Sequence, residues 1–234
     1  MVSIYDYLSG NPYPGRGVAI GKTADGKKAI ILYFIMGRSV NSRNRIFEKT
    51  EDGIRTRAFD PSKLSDPSLI IYAPVRTCGN DTVVTNGDQT DTIRDALLVG
   101  NTFADALRTR EFEPDAPNFT PRISGILHTE DGKMAYKLSI LKKSPYSDSC
   151  NRFFYEYENP ANGVGHIIHT YMGDGNPIPS FLGEPVAFGV GSDLQSIADG
   201  VWNALNIDNK VSLFARSVSL VDDTVETLIY NKNQ

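Results

Sequence analysis

The chain alternates short apolar runs with tight polar turns, and most runs are rich in β-branched and aromatic residues, as strands are. GVAIGKT (17–23) and KKAIILYFIM (27–36) flank Ala24-Asp25-Gly26, and an Asp-Gly pair between two apolar runs signals a hairpin. SLIIYAPVR (68–76) and DTVVTNG (81–87) repeat the scheme across Cys78-Gly79-Asn80, and RISGILHT (122–129) and MAYKLSIL (134–141) do so across Asp131-Gly132. RFFYEYE (152–158), GHIIHTYM (165–172), KVSLFARSVSL (210–220) and TVETLIYN (224–231) complete the predicted strands. Short turns between neighbours imply antiparallel pairing.

Helical periodicity is confined to three places. DQTDTIRDALLVG (88–100) starts after Asn86-Gly87, with Asp88 or Thr90 as N-cap, and stops at Gly100. TFADALRTR (102–110) follows it. SDLQSIADGVWNALN (192–206) carries the clearest stripe, Leu194, Ile197, Ala198, Val201, Trp202 and Leu205, capped by Ser192 or Asp193. KKAIILYFIM and SLIIYAPV are apolar almost continuously, which predicts strands covered on both faces. The expected fold is therefore α+β, a four-layer αββα sandwich of two antiparallel sheets. No linker or composition break divides residues 1–234, so one domain is expected, with residues 143–185 as its loop-rich part.

Composition adds limits. Apolar residues make up 40% and charged residues 22%, an ordinary globular balance. A net charge of −4 lacks the broad basic face that nucleic acid or a membrane surface requires, so neither is an expected partner. The first 17 residues show no basic region followed by an apolar run, and no apolar stretch reaches the roughly 20 residues of a membrane span. A cytoplasmic location is expected. The two cysteines, Cys78 and Cys150, suit it and form no CxxC pair, and a disulfide between them stays open. The sequence admits a homo-oligomer.

Against this acidic background, GRSVNSRNR (37–45) gathers Arg38, Arg43 and Arg45 behind a glycine, directly after a buried-looking strand. Arginine's planar fork matches phosphate oxygens two at a time, and Ser39 and the asparagines add neutral donors. A solvated basic turn is the plain alternative; position at the end of a strand favours a small anionic ligand. VVTNGDQTD (83–91) places Thr85, Asn86, Asp88, Thr90 and Asp91 around a helix start, where an anion or simple capping accounts for them equally. Arg122 opens a strand after a proline, a place a surface ion pair also explains. Asp174-Gly175-Asn176 lacks the downstream glutamate of a calcium loop. His166 and His169, three apart in a strand, face opposite ways, and His128 is remote, so no metal is expected. No glycine-rich phosphate loop and no GxSxG is present.

Five segments in order resemble the archaeal-type inosine monophosphate cyclohydrolase family. They are G-x-x-x-G-K-T-x-x-G-K at 17–27, R-S-x-x-x-R at 38–43, Y-x-x-V-R at 72–76, V-V-T-N-G-x-x-T-D at 83–91 and T-P-R-I-x-x-I-L at 120–127. YMGDGNPIPSFLGEP (171–185) looks like the bacterial members. Two departures stand out: residues 143–185 look longer than in archaeal members, and the middle of the second element reads Val-Asn-Ser rather than containing proline. The resemblance implies a fold like that of N-terminal nucleophile hydrolases without the self-cleaved nucleophile, and no cofactor. It implies ring closure of 5-formamido-imidazole-4-carboxamide ribonucleotide to inosine monophosphate with loss of water. A purine nucleotide precursor is then the expected partner. On the matching positions, Arg38 and Arg43 would anchor phosphate or polarise the formyl oxygen, with Ser39 beside them. Tyr72 would move a proton or donate to the oxyanion, Asn86, Thr90 and Asp91 would contact base or ribose, and Arg122 and Lys22 would complete the site, with Tyr72, Arg38 and Asp91 as catalytic residues. Two other readings fit the same residues: a non-catalytic purine-nucleotide-binding protein, or an amide hydrolase exposing Ser3, Cys78 or Cys150 at a processed N-terminus.

Overall fold

The structure, a computed structural model, describes residues 1–64, 67 and 69–233. Among these, thirteen strands form two antiparallel sheets. The first joins β1 (Arg16–Lys22), β2 (Lys28–Met36), β10 (Val164–His169), β11 (Val186–Gly189), β12 (Lys210–Ser219) and β13 (Val225–Asn231). Their order across the sheet is β11-β10-β1-β2-β12-β13. The second runs in sequence order through β3 (Arg45–Lys49), β4 (Gly53–Ala58), β5 (Val75–Cys78), β6 (Asp81–Thr85), β7 (Arg122–Glu130), β8 (Lys133–Lys143) and β9 (Cys150–Tyr157).

Strand β2 shows why its run is apolar throughout. Successive side chains point to opposite faces. Ile31, Tyr33 and Ile35 join a cluster shared with Phe47, Ile54, Val75 and Val84 of the second sheet. Ile30, Leu32, Phe34 and Met36 join a second cluster with helices α1 (Ile4–Ser9) and α5 (Leu194–Ala204). On the other sheet, Val83 and Ile126 pack with Ile93, Phe103 and Leu107 from α3 (Gln89–Leu98) and α4 (Phe103–Arg108). Both hairpin signals are built as turns. Asp25 Oδ1 accepts from Thr23 Oγ1 at 2.6 Å and from Lys27 N at 3.1 Å, with Gly26 at φ 72°. Asp131 and Gly132 both take positive φ, 48° and 73°, the backbone a two-residue hairpin turn demands.

The expected 68–76 strand is shorter than its apolar run. Only Val75 and Arg76 of it enter a strand, β5, and Ser68 lies outside the described residues. Pro74 has no N–H to give a ladder. Ahead of it, the chain is held instead by the Thr56 hydroxyl, which donates to Ile70 O at 2.7 Å and accepts from Tyr72 N at 2.8 Å. Among the elements that the sequence pattern does not predict, α1, β11, β3 and β4 are short or charged, the last two reading RIFEK and GIRTRA. Alternation is visible in β4 once its burial is known, with Ile54, Thr56 and Ala58 inside and Arg55 and Arg57 outside. Cys78 and Cys150 are free thiols.

Leu32 is 1% exposed between β2 and the helices, whereas Val99 is 74% exposed at the end of α3. Leu32→Ala is expected to cost about 2–5 kcal/mol, and Val99→Ala no more than about 0.5 kcal/mol. Denaturant melts of the two variants beside the unaltered chain measure the contrast.

Candidate functional site

Where β2 ends, Gly37 leaves room for a tight reversal of the chain: a Cβ there would meet Ser42 Oγ at 2.6 Å. Ser39 Oγ accepts from Ser42 N at 3.0 Å and Ser42 Oγ from Ser39 N at 3.0 Å, a capping box that closes the short helix α2 (Val40–Arg43). This fold of GRSVNSRNR sends its three arginines to three places. Arg38 projects over the mouth of a cavity of about 270 Å³. Arg43 turns back, giving Nε to Gly37 O at 2.9 Å and Nη2 to Asn209 Oδ1 at 2.9 Å, beside Asp208 and Lys232 in a different depression. Arg45, at the start of β3, is driven inward to 1% exposure and lines the cavity.

Arg45 gives Nε to Ser42 O at 2.8 Å and Nη2 to Met36 O at 3.3 Å, but its buried Nη1 has no partner. Arg16, from the first position of β1, reaches the same cavity; its Nη2 meets Glu113 Oε2 at 3.3 Å and its buried Nε has no partner. Burial lowers the Arg45 pKa, and the Arg16 charge adds to that pressure. Burial opposes the charge on Arg16 too, yet Glu113 and the Tyr72, Tyr171 and Tyr33 hydroxyls outweigh it and raise its pKa well above normal. Two cations, Arg45 buried and Arg16 12% exposed, each with a buried nitrogen whose donor bond is unmade, form a site built for an anion or an electron-rich oxygen.

Glu113 is the buried acid of this cavity, and Asp115 lines it too. Glu113 is 2% exposed, and burial raises its pKa against the opposing pull of Arg16 and Arg122. Its Oε1 also accepts from Asn86 Nδ2 at 3.4 Å, and Asn86 is fixed in turn by Pro121 O at 2.8 Å and Ile123 N at 2.9 Å. Behind the wall, the Tyr33 and Tyr72 hydroxyls pair at 2.8 Å, and burial raises the Tyr33 pKa far above its usual range. Opposite, the Thr120 hydroxyl bonds both Asp115 and the Tyr171 hydroxyl, and Tyr171 stacks on Tyr13 at 5.8 Å between centroids. Among the described residues no group of three or more His, Cys, Asp or Glu is placed to hold a metal ion.

Of the residues expected from sequence, Arg38 and Ser39 stand on the cavity wall. Tyr72, Asn86 and Arg122 do not line it: Tyr72 bonds Tyr33 and acts on the Arg16 and Arg45 charges, Asn86 donates to Glu113, and the Arg122 charge acts on Glu113. Arg122 itself is spent on Asp88 Oδ1 at 2.8 Å and Gln89 Oε1 at 2.7 Å. Thr90 closes the turn ahead of α3, its hydroxyl on Thr85 Oγ1 at 2.7 Å and Gly87 O at 3.1 Å. Asp91 pairs with Arg76 at 2.9 Å and Arg94 at 3.1 Å on the flank of α3. Lys22 ends β1 six residues from Arg16, about 20 Å along an extended strand. The motif side chains around α3 thus bond to one another and to neighbouring elements. Arg16 and Glu113 line the cavity without having been singled out in the sequence. Arg45 belongs to the basic cluster, and its only distinguishing signal is that it opens an alternating strand; Arg16 and Glu113 carry no local signal.

A larger cavity of about 550 Å³ lies near the turns that end β3, β5, β7 and β12. Arg216 is its one basic residue, while Glu51, Glu130, Asp131 and Asp223 rim it. Arg216 is satisfied by Thr77 Oγ1 at 2.8 Å and Thr227 Oγ1 at 3.2 Å. Size favours this cavity, but the unmade cationic bonds belong to the smaller one, so the smaller one is the candidate site.

The family model described as IMP cyclohydrolase-like protein matches residues 13–223. An IMP cyclohydrolase of Methanopyrus kandleri is 30% identical over 177 residues, 72% of this chain and 79% of that protein. That of Methanococcus aeolicus is 29% identical over 153 residues, 62% of this chain and 74% of that protein. One from Methanococcus maripaludis strain C6 is 34% identical over 131 residues, 53% of this chain and 62% of that protein.

The unmade bond on Arg45 predicts stabilisation by inorganic phosphate. At 100 times its Kd a ligand adds about 2.7 kcal/mol. Arg45→Met is expected to weaken phosphate binding roughly 10–100-fold, the worth of a hydrogen bond from a charged donor. Thermal melts over a phosphate series read both effects, and equal shifts in the two proteins would remove Arg45 from the anion site.

Proposed function

The chain belongs to the IMP cyclohydrolase-like protein family, and on that premise we propose that it is an IMP cyclohydrolase. Its substrate on this reading is 5-formamido-imidazole-4-carboxamide ribonucleotide, its product inosine monophosphate and water. The observation that carries the reading is the pair of arginines with buried, unmade donor bonds beside a buried glutamate. The layering we read is a four-layer αββα sandwich, supported by one apolar cluster between the sheets and one under each helix pair; the likeness to N-terminal nucleophile hydrolases is part of the same proposal.

The chemistry asks three things of the residues present. The carboxamide nitrogen and the formyl carbon sit in one molecule, so confining both arms raises their effective concentration. The formyl oxygen gains negative charge as the nitrogen adds, and Arg45 Nη1 and Arg16 Nε are the donors left open for it. The formyl oxygen leaves as water and so gains two protons, one given up by the adding carboxamide nitrogen and one by the formamide nitrogen as the ring C=N bond forms. Glu113, buried against Arg16, takes each in turn and passes it to the oxygen, so no net proton is consumed as water leaves. Tyr72 supports the site through Tyr33. Arg38 and Ser39, at the mouth, hold the phosphate.

A glutamate acting as base must be ionised, and burial raises the pKa of Glu113. Activity should therefore fall as pH drops through that raised value, placing the acid limb above the ordinary glutamate value of about 4.3. Glu113→Gln is expected to lower kcat about 10²–10⁴-fold and to flatten the limb. Following the hypoxanthine chromophore during turnover checks both. Saturable binding without that chromophore in the unaltered protein would make it a nucleotide-binding protein instead.

A further inference from the structure

The run between β10 and β11 folds back on itself beside the cavity. Met172 N donates to Pro179 O at 2.9 Å and Phe181 N to Thr170 O at 3.0 Å, so residues 170–181 form a closed loop. Ile178 of this loop lies on the cavity wall, its N–H on Asn118 Oδ1 at 3.1 Å. At the tip, the Asp174 carboxylate accepts from Arg38 Nη1, and Arg38 Nη1 also donates to Gly175 O at 2.9 Å. Asp174 is held in aim by Gly175 N at 2.9 Å, and the Arg38 guanidinium stands 5.1 Å from the Tyr13 ring centre. The cation at the mouth is thus already paired with a carboxylate supplied by the loop.

That pair is exposed, at 36% for Arg38 and 55% for Asp174. Exposed ion pairs are weak and screened by salt. A phosphate monoester carries about −1.5 to −2 charge and three acceptor oxygens, against one charge on a carboxylate. We propose that Asp174 is a resident competitor for the substrate's phosphate: the phosphate takes over Arg38 and displaces the Asp174 carboxylate. Asp174 thereby sets selectivity, since a nucleoside without phosphate has nothing with which to displace it. This rests on the reading that the cavity takes a mononucleotide, with Arg38 holding its phosphate.

Calorimetric titrations with inosine monophosphate, inosine and inorganic phosphate test it on the unaltered protein, Asp174→Asn, Arg38→Met and the double variant. Asp174→Asn removes the competing charge while keeping the side chain's size. It is expected to tighten inosine monophosphate and inorganic phosphate about two- to five-fold, the scale of an exposed ion pair, and to leave inosine unchanged. Arg38→Met is expected to weaken both phosphate-bearing ligands at least tenfold and to abolish the effect of Asp174→Asn in the double variant. Weaker or unchanged phosphate binding in Asp174→Asn, an equal effect on inosine, or persistence of the effect without Arg38 would each overturn the proposal. Binding of inorganic phosphate with these dependences, but none of inosine monophosphate, would overturn the nucleotide reading and keep the competition between Asp174 and phosphate.

Discussion

The arrangement turns on one cost: Arg45 carries a full positive charge at 1% exposure with one donor nitrogen unpartnered. Removing an ion from water costs several kcal/mol even after relaxation, and hydrogen bonds recover part of that only where they are made. Ser42 O and Met36 O recover some of it; among the described residues no carboxylate pairs with Arg45. Arg16 sits in the same cavity, like-charged, with Glu113 at its Nη2. Glu113 and Asp115 bring negative charge to the wall, yet Arg45 Nη1 and Arg16 Nε keep their donor bonds unmade. An anionic ligand, or an oxygen becoming anionic during reaction, supplies what the protein withholds.

The rest of the fold confines that shortage to one place. Because β2 and β12 are buried on both faces, their polar backbone groups are spent in the ladder and their side chains in two apolar clusters. Chemistry is left to the strand ends. At one end meet the start of β1, the end of β2 and the start of β3, bringing Arg16, Met36 and Arg45 together. The other end has its own cavity, but there Arg216 is met by two threonine hydroxyls within a rim of carboxylates. The two ends are built from similar residue types and differ in whether the cation's bonds are made.

Hairpins and the long helix were legible because each is written locally: an Asp-Gly pair at positive φ, or apolar residues on one helical stripe. The loss of the 69–74 part of a predicted strand followed from Pro74 and from a hydroxyl, Thr56, that only tertiary contact brings near. The site was legible as chemistry and not as residues. Arg38, Arg43 and Arg45 are alike in sequence, and the Ser39–Ser42 capping box decides which is at the mouth, which is turned away and which is buried. Glu113 stands alone in EFEPDAP between a helix and a strand, a setting in which nothing marks an acid for burial. Asp91 and Arg122 had the look of ligand contacts because they sit by a helix start, yet each has a protein partner at 2.8–2.9 Å.

The size of the cavity adds a last step. At about 270 Å³ it is just under the roughly 300–1,000 Å³ of small-molecule sites, and a mononucleotide fills such a site from end to end. Its walls divide accordingly. Arg45 and Glu113 are buried, and Arg16 is 12% exposed at the start of β1, the setting that holds reacting groups in register. Arg38, Asp174 and Ile178 come from loops, and of the cavity's three guanidiniums only Arg38 is bound to another loop's carboxylate at the mouth. A rigid interior behind an exchangeable entrance suits a reaction whose two arms already share one molecule: binding does the gathering, and the buried charges need act only on the oxygen and the proton.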